Sequence, residues 1–484
     1  MTHGQLDGLP GGLPDGLPVG DGWVPVGEST EIVFPYDGTT VAHAPVGTVE
    51  LARRAVDEAL AVAPAMARTP SHARRTALMG AHDALAARRE EFERLLVLET
   101  GKPLVDCRVE VARTLVTLAT AAEEVARLHG ETVPMDLLPA GEGLVGFWTR
   151  RPIGVVVGIT GFNYPLLLAA HKIAPALAAG CPVIVKPAPS TPLATIGLVE
   201  LLRSVGVLPN AAVQLITGDV EVGRALVEDR RIGAVSFTGS AAAGHAIARN
   251  AAPTKVLLEL GSNAALVVAA DADLEAAADA VVRGGYYASG QACISVQRVV
   301  VERAVREEFL DLLAARMKDV VVGDPRAPET RVAALIDERS TSRVLSWVDE
   351  AVAAGAELVA GGGREGRAIA PAVLADVPDG VAAWDEEIFG PVVCVRTVES
   401  LEEAFETVNR SRYGLHLSVF TRSLATAFAA IERLEAGGVV VNEVPGFRAD
   451  NMPYGGVKDS GIGREGPRFA IEEFTVTRMA IIRP

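Results

Sequence analysis

The sequence predicts an α/β protein built around a doubly wound parallel sheet. Two observations carry this prediction. Short runs rich in valine and isoleucine alternate with helical segments from Gly154 onward, and a second such region begins after Glu259. Alternation of this kind implies parallel βαβ units. The chain of 484 residues is long enough for about three domains.

The first α/β region contains four strand-like runs, each followed by a helical run. The strands are 154–160, 182–187, 212–218 and 234–240, and the helices are 165–180, 191–206, 220–229 and 241–251. The second region has its own apolar runs at 264–274 and 299–313, and its later strands include 391–398, 417–422 and 437–444. No flexible linker separates the two regions, so we expect closely packed domains.

The two ends of the chain differ from this pattern. Gly-Leu-Pro occurs three times within residues 7–20, a low-complexity pattern that predicts a loose N-terminal arm over residues 1–28. Residues 48–130 show helical periodicity instead. The C-terminal AIIRP is short and apolar, which suits pairing with another strand.

The charge balance limits the partners. Lys and Arg number 45 against 61 Asp and Glu, a net charge of −16, which argues against nucleic acids and anionic membranes because both require basic surface. The uncharged stretch 152–170 approaches the length of a membrane span. Its glycines, Asn163 and Pro165 indicate a strand, a turn and a helix start, so no membrane partner is expected.

The cysteines indicate a reducing compartment. Cys107, Cys181, Cys293 and Cys394 form no CxxC pair, and no histidine–cysteine group has the spacing of zinc ligands. The first twenty residues lack the pattern of a signal peptide. We therefore expect a cytoplasmic protein with reduced thiols and no bound metal.

Cys293 is the candidate nucleophile. It lies within GQACIS, residues 290–295, in a segment typical of a loop, where an exposed thiolate is a strong nucleophile. The pattern alone leaves a buried packing cysteine open, and packing is the interpretation that suits the other three cysteines.

Two polar residues stand at ends of predicted strands. Glu259, in LELGSN, lies within an apolar strand end, where desolvation would raise its pKa toward the range of a general base. An exposed acid at the strand terminus is the alternative. Asn163, in FNYP, follows a strand, and its amide can donate to a developing oxyanion or simply serve the turn.

Several strand-to-helix turns suit a nucleotide. In FTGS, residues 237–240, Gly239 permits close backbone approach, and Ser240 can cap the helix or bind phosphate. Lys186 ends a strand and can reach a ribose or phosphate, or remain solvated. Gly223 frames another turn, but no GxGxxG fingerprint is present, and EEIFGP at 386–391 by itself indicates only a charged loop.

The order of these segments resembles the aldehyde dehydrogenase superfamily. The segments occur in the order Asn163, Lys186, FTGS, Glu259, Cys293 and EEIFGP, with ETGKP at 99–103 and PYGGVKDSGIGREG at 453–466. The likeness runs from about residue 30 to the C-terminus. It implies an aldehyde dehydrogenase-like fold with a Rossmann-type cofactor domain, an α/β catalytic domain and a small β oligomerisation element.

The resemblance also implies domain boundaries and assembly. The cofactor domain would comprise residues 29–130 and 150–260, and the catalytic domain residues 261–445. Residues 131–149 and 446–484 would bridge subunits of a homodimer or homotetramer.

By the same likeness, Cys293 would attack an aldehyde carbonyl to give a thiohemiacetal and then a thioester. Asn163 and the Cys293 backbone N–H would hold the oxyanion, and Glu259 would activate the hydrolytic water. Family members that transfer the acyl group to coenzyme A usually lack this acid, so a free carboxylate product is favoured. A coenzyme A-acylating enzyme and a non-catalytic protein with this fold are the alternatives.

The resemblance further implies a nicotinamide cofactor, with Lys186 and Glu387 at its two riboses. The residues expected to contact it are Thr160, Phe162, Lys186, Pro189, Gly223, Phe237, Thr238, Gly239, Ser240, Leu260, Glu387 and Phe389. Pro189 stands where many NAD-using relatives carry a glutamate that grips the adenosine ribose. Without that glutamate a 2′-phosphate is not repelled, so NAD is expected and NADP is possible.

Two further departures, Ser262 and Ser295, and the segment 447–461 look like the branch that handles lactaldehyde and phosphonoacetaldehyde. The substrate tunnel would be lined by Tyr164, Leu168, His171, Ala292, Ile294, Arg448 and Tyr454. Arg448 stands where relatives acting on apolar aldehydes tend to have an aromatic residue, and an arginine can hold a carboxylate, phosphonate or sulfonate.

Arg108 and Arg113 are expected to assist Arg448. The alternative is that Arg448 pairs with Asp450 or faces solvent. We therefore expect a small polar, anionic aldehyde as the substrate.

Overall fold

Two mostly parallel sheets and one three-stranded antiparallel sheet organise the chain in the computed structural model, which describes residues 16–484. Helices cover both faces of the parallel sheets, as their nearly uniform apolar strands require. The predicted α/β class with a doubly wound sheet is confirmed.

The six-stranded sheet gives the first α/β region its layout. In spatial order its strands are Gly461–Ile462, Lys255–Glu259, Ile232–Thr238, Val155–Ile159, Val183–Lys186 and Val213–Leu215. All of its pairings are parallel except that of Gly461–Ile462. The order reverses between Val155–Ile159 and Ile232–Thr238, and this switch point opens a crevice at the carboxyl ends of the strands.

The helices of this half follow the predicted pattern. Those after the strands are Pro165–Ala179, Leu193–Ser204, Val220–Val227 and Ala241–Ala251. Four more precede the sheet, at Val49–Met66, Ser71–Ala87, Arg89–Thr100 and Leu104–Glu124, and Pro467–Glu473 follows it. Gly180 ends its helix in the left-handed conformation, φ 85°, as predicted from the sequence. One apolar core joins these helices to the sheet.

The seven-stranded sheet forms the second region. Its strands, in spatial order, are Glu357–Ala360, Ala372–Ala375, Val392–Val398, Arg298–Glu302, Ala265–Val268, His416–Phe420 and Gly438–Val441. Only the edge strand Glu357–Ala360 pairs antiparallel. Its helices are Leu274–Tyr286, Arg306–Met317, Glu338–Ala353, Ala382–Asp385, Leu401–Asn409 and Leu424–Arg433. Separate apolar cores lie on its two faces, and alternate residues of Ala265–Val268 contribute to each.

A three-stranded sheet joins distant parts of the chain. Thr475–Ile482 pairs with Val145–Pro152, which pairs with Glu131–Val133. The predicted pairing of the C-terminal tail with another strand is therefore confirmed. Four two-stranded ribbons complete the strands, at Leu17–Val19 with Gly22–Val24, Glu28–Val33 with Thr40–Val46, Arg364–Glu365 with Ala368–Ile369, and Tyr413–Gly414 with Val457–Lys458.

The predicted loose arm is wrong for residues 16–28. Leu17 and Val19 lie in a strand, are at most 1% exposed, and belong to the core of the first half. The side-chain amide of Gln214 accepts a hydrogen bond from the Gly20 backbone N–H, at 2.8 Å. Leu17 and Val19 were not predicted to be buried because they lie in or beside the Gly-Leu-Pro repeat. Residues 1–15 of the predicted arm lie outside the described residues. Within residues 16–484, none of the helices combines the length and apolarity needed to cross a membrane.

Candidate active site

A strained loop presents Cys293. Ala288, Ser289 and Gly290 are all left-handed, with φ of 49°, 57° and 74°, where the GQACIS segment begins. The Asp106 carboxylate accepts a hydrogen bond from the Ala288 N–H at 2.9 Å, which fixes the loop to the N-terminal helices. Left-handed conformations cost free energy for residues with a Cβ, and such strain is common at functional loops.

The four thiols differ in access. Cys107, Cys181 and Cys394 are fully buried, so the interpretation of these three as packing residues is confirmed. Cys293 is only partly buried. The Tyr454 hydroxyl lies 3.3 Å from Cys293 Sγ. Burial raises the pKa of the Cys293 thiol to about 12, and the Tyr454 hydrogen bond opposes this rise.

Asn163 lies beside the cysteine loop. Its side-chain amide donates to the backbone carbonyl of Gln291 at 2.9 Å. An amide nitrogen carries two hydrogens, so one remains for a ligand. The turn between the strand Val155–Ile159 and the following helix therefore places this donor against the Gln291 carbonyl, two positions before Cys293.

Glu259 ends the strand Lys255–Glu259 in a buried position. It is 4% exposed, and within the described chain neither carboxylate oxygen has a hydrogen-bond partner. Burial raises its pKa well above the ordinary value, and the nearby Glu465 raises it further. A Cβ on Gly455 would lie 2.9 Å from Glu259 Oε1, so glycine is required for this approach. An unpaired buried carboxyl of this kind marks a group kept for chemistry.

The crevice at the switch point suits a dinucleotide. Thr160 follows the first strand, and its buried hydroxyl has no partner among residues 16–484. Lys186 ends the neighbouring strand, and burial lowers its pKa to about 8, an effect that Asp219 partly offsets. Ser240 caps the helix Ala241–Ala251 by accepting from the Ala243 N–H at 3.4 Å, as predicted. These groups fit the ribose hydroxyls and phosphates of a nucleotide.

Three contacts join further residues expected at the cofactor. Phe237 and Leu260 share a buried apolar cluster, and a Cβ on Gly223 would lie 3.5 Å from Lys186 Cδ. Phe389, at φ 49°, meets the edge of the Phe162 ring with ring centres 5.7 Å apart.

Glu387 is half-buried, whereas Pro189 is exposed. The Glu387 carboxylate accepts from the Ser262 N–H at 2.9 Å, and burial raises its pKa to about 7. Pro189 is exposed on the loop after Lys186.

Two of the residues predicted to line a substrate tunnel, Ile294 and Arg448, contact Tyr454. Ile294 and Leu415 form an apolar cluster with Tyr454, against which Cys293 packs. Ala292 and Leu168 are buried, and the centre of the Tyr164 ring lies 3.7 Å from the Lys102 ammonium.

Arg448 is buried and paired. Its Nη2 lies 3.4 Å from Glu465 Oε2, and its Nε lies 3.9 Å from Asp450 Oδ1. Of the two alternatives to an anion-binding role, the pairing with Asp450 is present, and exposure to solvent is excluded because the side chain is 6% exposed. His171 lies between the same carboxylates, 3.4 Å from each.

The two arginines expected to assist Arg448 have different partners. Arg108 is wrong as a tunnel residue, because its side chain is half exposed and pairs with Glu93 at 3.5 Å. Arg113 instead forms two hydrogen bonds with Asp450, at 2.8 and 3.1 Å. Arg113 therefore positions the carboxylate beside Arg448.

Sequence reasoning missed Glu465 and Lys172. Lys172 donates to Glu465 Oε1 at 2.9 Å and to the Thr238 hydroxyl at 2.7 Å, and both charged side chains are fully buried. Glu465 lies between glycines in GREG, which is typical of a turn. The sequence did contain one signal for this ion pair, since Lys172 is a charged residue in the mostly apolar helix Pro165–Ala179.

A partly exposed thiol and an unpaired buried carboxyl, set beside a sheet whose switch point suits a dinucleotide, define the class of nicotinamide-dependent enzymes that oxidise aldehydes. The chain belongs to the aldehyde dehydrogenase family, whose sequence profile matches residues 23–480. The resemblance found in the sequence is thereby confirmed.

Individual members of the family are similar to this chain in sequence and in structure. The chain is 40% identical over 462 residues to 3-sulfolactaldehyde dehydrogenase of Priestia aryabhattai, covering 95% of this chain and 96% of that protein. It superposes on aldehyde dehydrogenase 21 of Physcomitrella patens, solved with the reaction product succinate, with a TM-score of 0.94, 37% identity and coverage of 96% and 97%.

A third similarity bears on the cofactor. Glyceraldehyde-3-phosphate dehydrogenase of Methanocaldococcus jannaschii, solved with NADP, matches with a TM-score of 0.91, 33% identity and coverage of 95% and 100%. The protein is an NAD(P)-dependent aldehyde dehydrogenase that acts on small aldehydes.

Proposed function

We propose that the enzyme oxidises a small anionic aldehyde to its carboxylate with NAD(P)⁺. The charged cluster beside the thiol carries this proposal. Three cations, Arg113, Lys172 and Arg448, face two carboxylates, Asp450 and Glu465. Hydrogen bonds and cations around these carboxylates hold the pKa of each below its ordinary value, so both are ionised.

The cluster therefore holds one positive charge more than negative ones. Buried charges are costly unless paired. The negative group of a substrate supplies the missing charge, and a planar guanidinium can hold a carboxylate, sulfonate or phosphonate.

Two of the similar proteins have names or ligands that fit an anionic substrate. The Priestia enzyme is named for an aldehyde with a sulfonate group, and the Physcomitrella structure contains succinate. In both, a second acidic group accompanies the carbon that is oxidised. The names of these two proteins and the buried Arg448 of this chain together support the proposal.

The proposed chemistry begins at Cys293. The thiolate adds to the aldehyde carbon, a C–S bond forms, and the carbonyl oxygen becomes an oxyanion. The free hydrogen of the Asn163 amide and the Cys293 backbone N–H stabilise this charge. NAD(P)⁺, when bound, would supply the hydride acceptor, and loss of a hydride from the thiohemiacetal would leave a thioester on Cys293.

Glu259 then takes a proton from a water molecule. The water oxygen attacks the thioester carbon, the C–S bond breaks, and the sulfur leaves as thiolate. The carboxylic acid so formed loses its remaining proton to solvent and departs as the carboxylate. A raised pKa suits this task, because a stronger base removes a proton from water more readily. Neither oxygen of Glu259 is engaged in a hydrogen bond that would prevent it.

The arrangement of domains and subunits is part of the same proposal. The cofactor would lie against residues 29–130 and 150–260, and the chemistry would take place against residues 261–445. Residues 131–149 and 446–484, which contain most of the three-stranded sheet, would join subunits of a dimer or tetramer.

An aldehyde panel tests the proposed function. Aldehydes carrying carboxylate, sulfonate or phosphonate are compared with neutral compounds of similar size, with NAD and with NADP, by the absorbance of the reduced cofactor. Anionic aldehydes should have the larger kcat/KM, and Cys293→Ala should abolish turnover. Equal kcat/KM for neutral and anionic aldehydes, or an acyl-coenzyme A product when coenzyme A is added, would contradict the proposal.

A further inference from the structure

The Tyr454 hydroxyl is the polar group in contact with Cys293 Sγ. The two atoms lie 3.3 Å apart, which is within hydrogen-bond distance for sulfur. Within residues 16–484, no other side chain or backbone group forms a hydrogen bond with this sulfur. The role of Tyr454 therefore depends on which of the two groups donates.

The surroundings of the ring hold the phenol in place. The Arg448 guanidinium lies 3.8 Å from the ring centre on one side. The His416 ring lies 4.9 Å away, and its Nδ1 is held 3.0 Å from the Pro445 carbonyl oxygen. Tyr454 is 3% exposed, so its hydroxyl cannot turn to solvent without moving these neighbours.

We propose that Tyr454 is a catalytic residue whose hydroxyl donates a hydrogen bond to the Cys293 thiolate and so stabilises the nucleophile of the free enzyme. A thiolate has no hydrogen to donate, so once the thiol proton leaves for solvent only the phenol can donate. The inference rests on the proposed role of Cys293, but it concerns ionisation before any aldehyde or cofactor binds.

The charges around the sulfur make this donor important. Burial disfavours the thiolate, and the carboxyl groups of Glu387 and Glu259 disfavour it further. Arg448 is the cation that favours it, and the phenol of Tyr287 also faces the sulfur. The pKa of Tyr454 lies well above its ordinary value because of burial, so its phenol retains the proton that it donates.

The experiment measures alkylation of Cys293 by iodoacetamide in the enzyme without cofactor or substrate. Iodoacetamide is uncharged and reacts with the thiolate, so the rate at each pH reports the ionised fraction. The other three cysteines are fully buried, Cys293→Ala provides the blank, and mass spectrometry locates the adduct. Tyr454→Phe removes the hydroxyl, and Tyr287→Phe removes a phenol from the same pocket that has no hydrogen bond to the sulfur.

Tyr454→Phe should react about tenfold more slowly than wild type at a given pH, with its curve displaced about one pH unit upward. Tyr287→Phe should follow the wild-type curve. Coincident curves for wild type and Tyr454→Phe would overturn the inference, as would equal displacement in both variants. Neither result would refute aldehyde oxidation, which the aldehyde panel tests separately.

A second variant covers a failure of Tyr454→Phe to fold. Replacing Tyr454 with 3-fluorotyrosine retains the hydroxyl and makes the phenol more acidic, hence a stronger donor. The alkylation curve should then move to lower pH. An unchanged curve would count against hydrogen-bond donation by Tyr454.

Discussion

The guanidinium of Arg448 lies 3.8 Å from the centre of the Tyr454 ring, on the residue whose hydroxyl meets Cys293 Sγ. One aromatic ring thus separates a buried cation from the sulfur. The relationship links the choice of substrate to the position of the nucleophile.

Replacing Arg448 should affect anionic aldehydes selectively. For Arg448→Ala we expect kcat/KM to fall about ten- to hundredfold with anionic aldehydes, since hydrogen bonds to charged groups contribute about 1.5–3 kcal/mol. Neutral aldehydes of the same size should lose much less. The measurement is steady-state kinetics with both kinds of aldehyde.

Arg468→Ala is the matched control for Arg448→Ala. Arg468 is exposed, and its guanidinium forms an ion pair with the neighbouring Glu472, at 3.6 Å. Its replacement should leave both substrate classes unchanged. Equal losses on anionic and neutral aldehydes in Arg448→Ala would show that Arg448 supports the fold of the pocket rather than binding an anion.

Replacing Glu259 should separate the two halves of the reaction. Glu259→Gln keeps the size of the side chain but cannot accept a proton from water, so we expect kcat to fall about 100- to 10,000-fold. The first turnover should remain, giving a burst of one reduced cofactor per active site in stopped-flow absorbance. Cys293→Ala should show no burst. Absence of a burst in Glu259→Gln would mean that Glu259 is needed for a step before the thioester forms.

Cofactor binding should weaken at alkaline pH through Lys186. Burial lowers the Lys186 pKa from 10.5 to about 8, so the ammonium of the free enzyme is mostly charged at pH 7 and mostly neutral at pH 9. If its charge favours NAD, the Kd for NAD should rise severalfold between these pH values.

Two variants test that origin of the pH dependence by fluorescence titration without aldehyde. Lys186→Gln should bind NAD about tenfold more weakly at pH 7 and lose the alkaline rise. Lys255→Gln is the control, because Lys255 is exposed and pairs with Glu473 at 2.7 Å. The same alkaline rise in Lys186→Gln would assign it to another group.

The sequence was a good guide wherever local pattern determines structure. Apolar strands alternating with helices predicted the doubly wound sheet, and the glycine-ended helix Pro165–Ala179 was placed within one residue. The N-terminal anchor was missed because Leu17 is surrounded by glycine and proline. Its burial depends on residues about 200 positions away, such as Gln214 beside Gly20.

The charged residues near the site show where pattern was insufficient. Arg108 and Arg113 are five residues apart on one helix, so they point roughly 140° apart and cannot both face the tunnel. Helical geometry alone could therefore have excluded one of them. The ion pair of Lys172 with Glu465 spans 293 residues, and no local signal reports such a contact.

Position 189 should set the preference between the two cofactors. Pro189 is exposed on the loop after Lys186, where the resemblance expects the adenosine ribose. A carboxylate there can accept hydrogen bonds from the ribose hydroxyls of NAD, and it repels a 2′-phosphate. Pro189→Glu should therefore raise the ratio of kcat/KM for NAD to that for NADP by about tenfold. The control is Ser190→Glu, which adds the same charge at the next exposed position, and an equal change in both variants would assign the effect to net charge rather than to contact with the ribose.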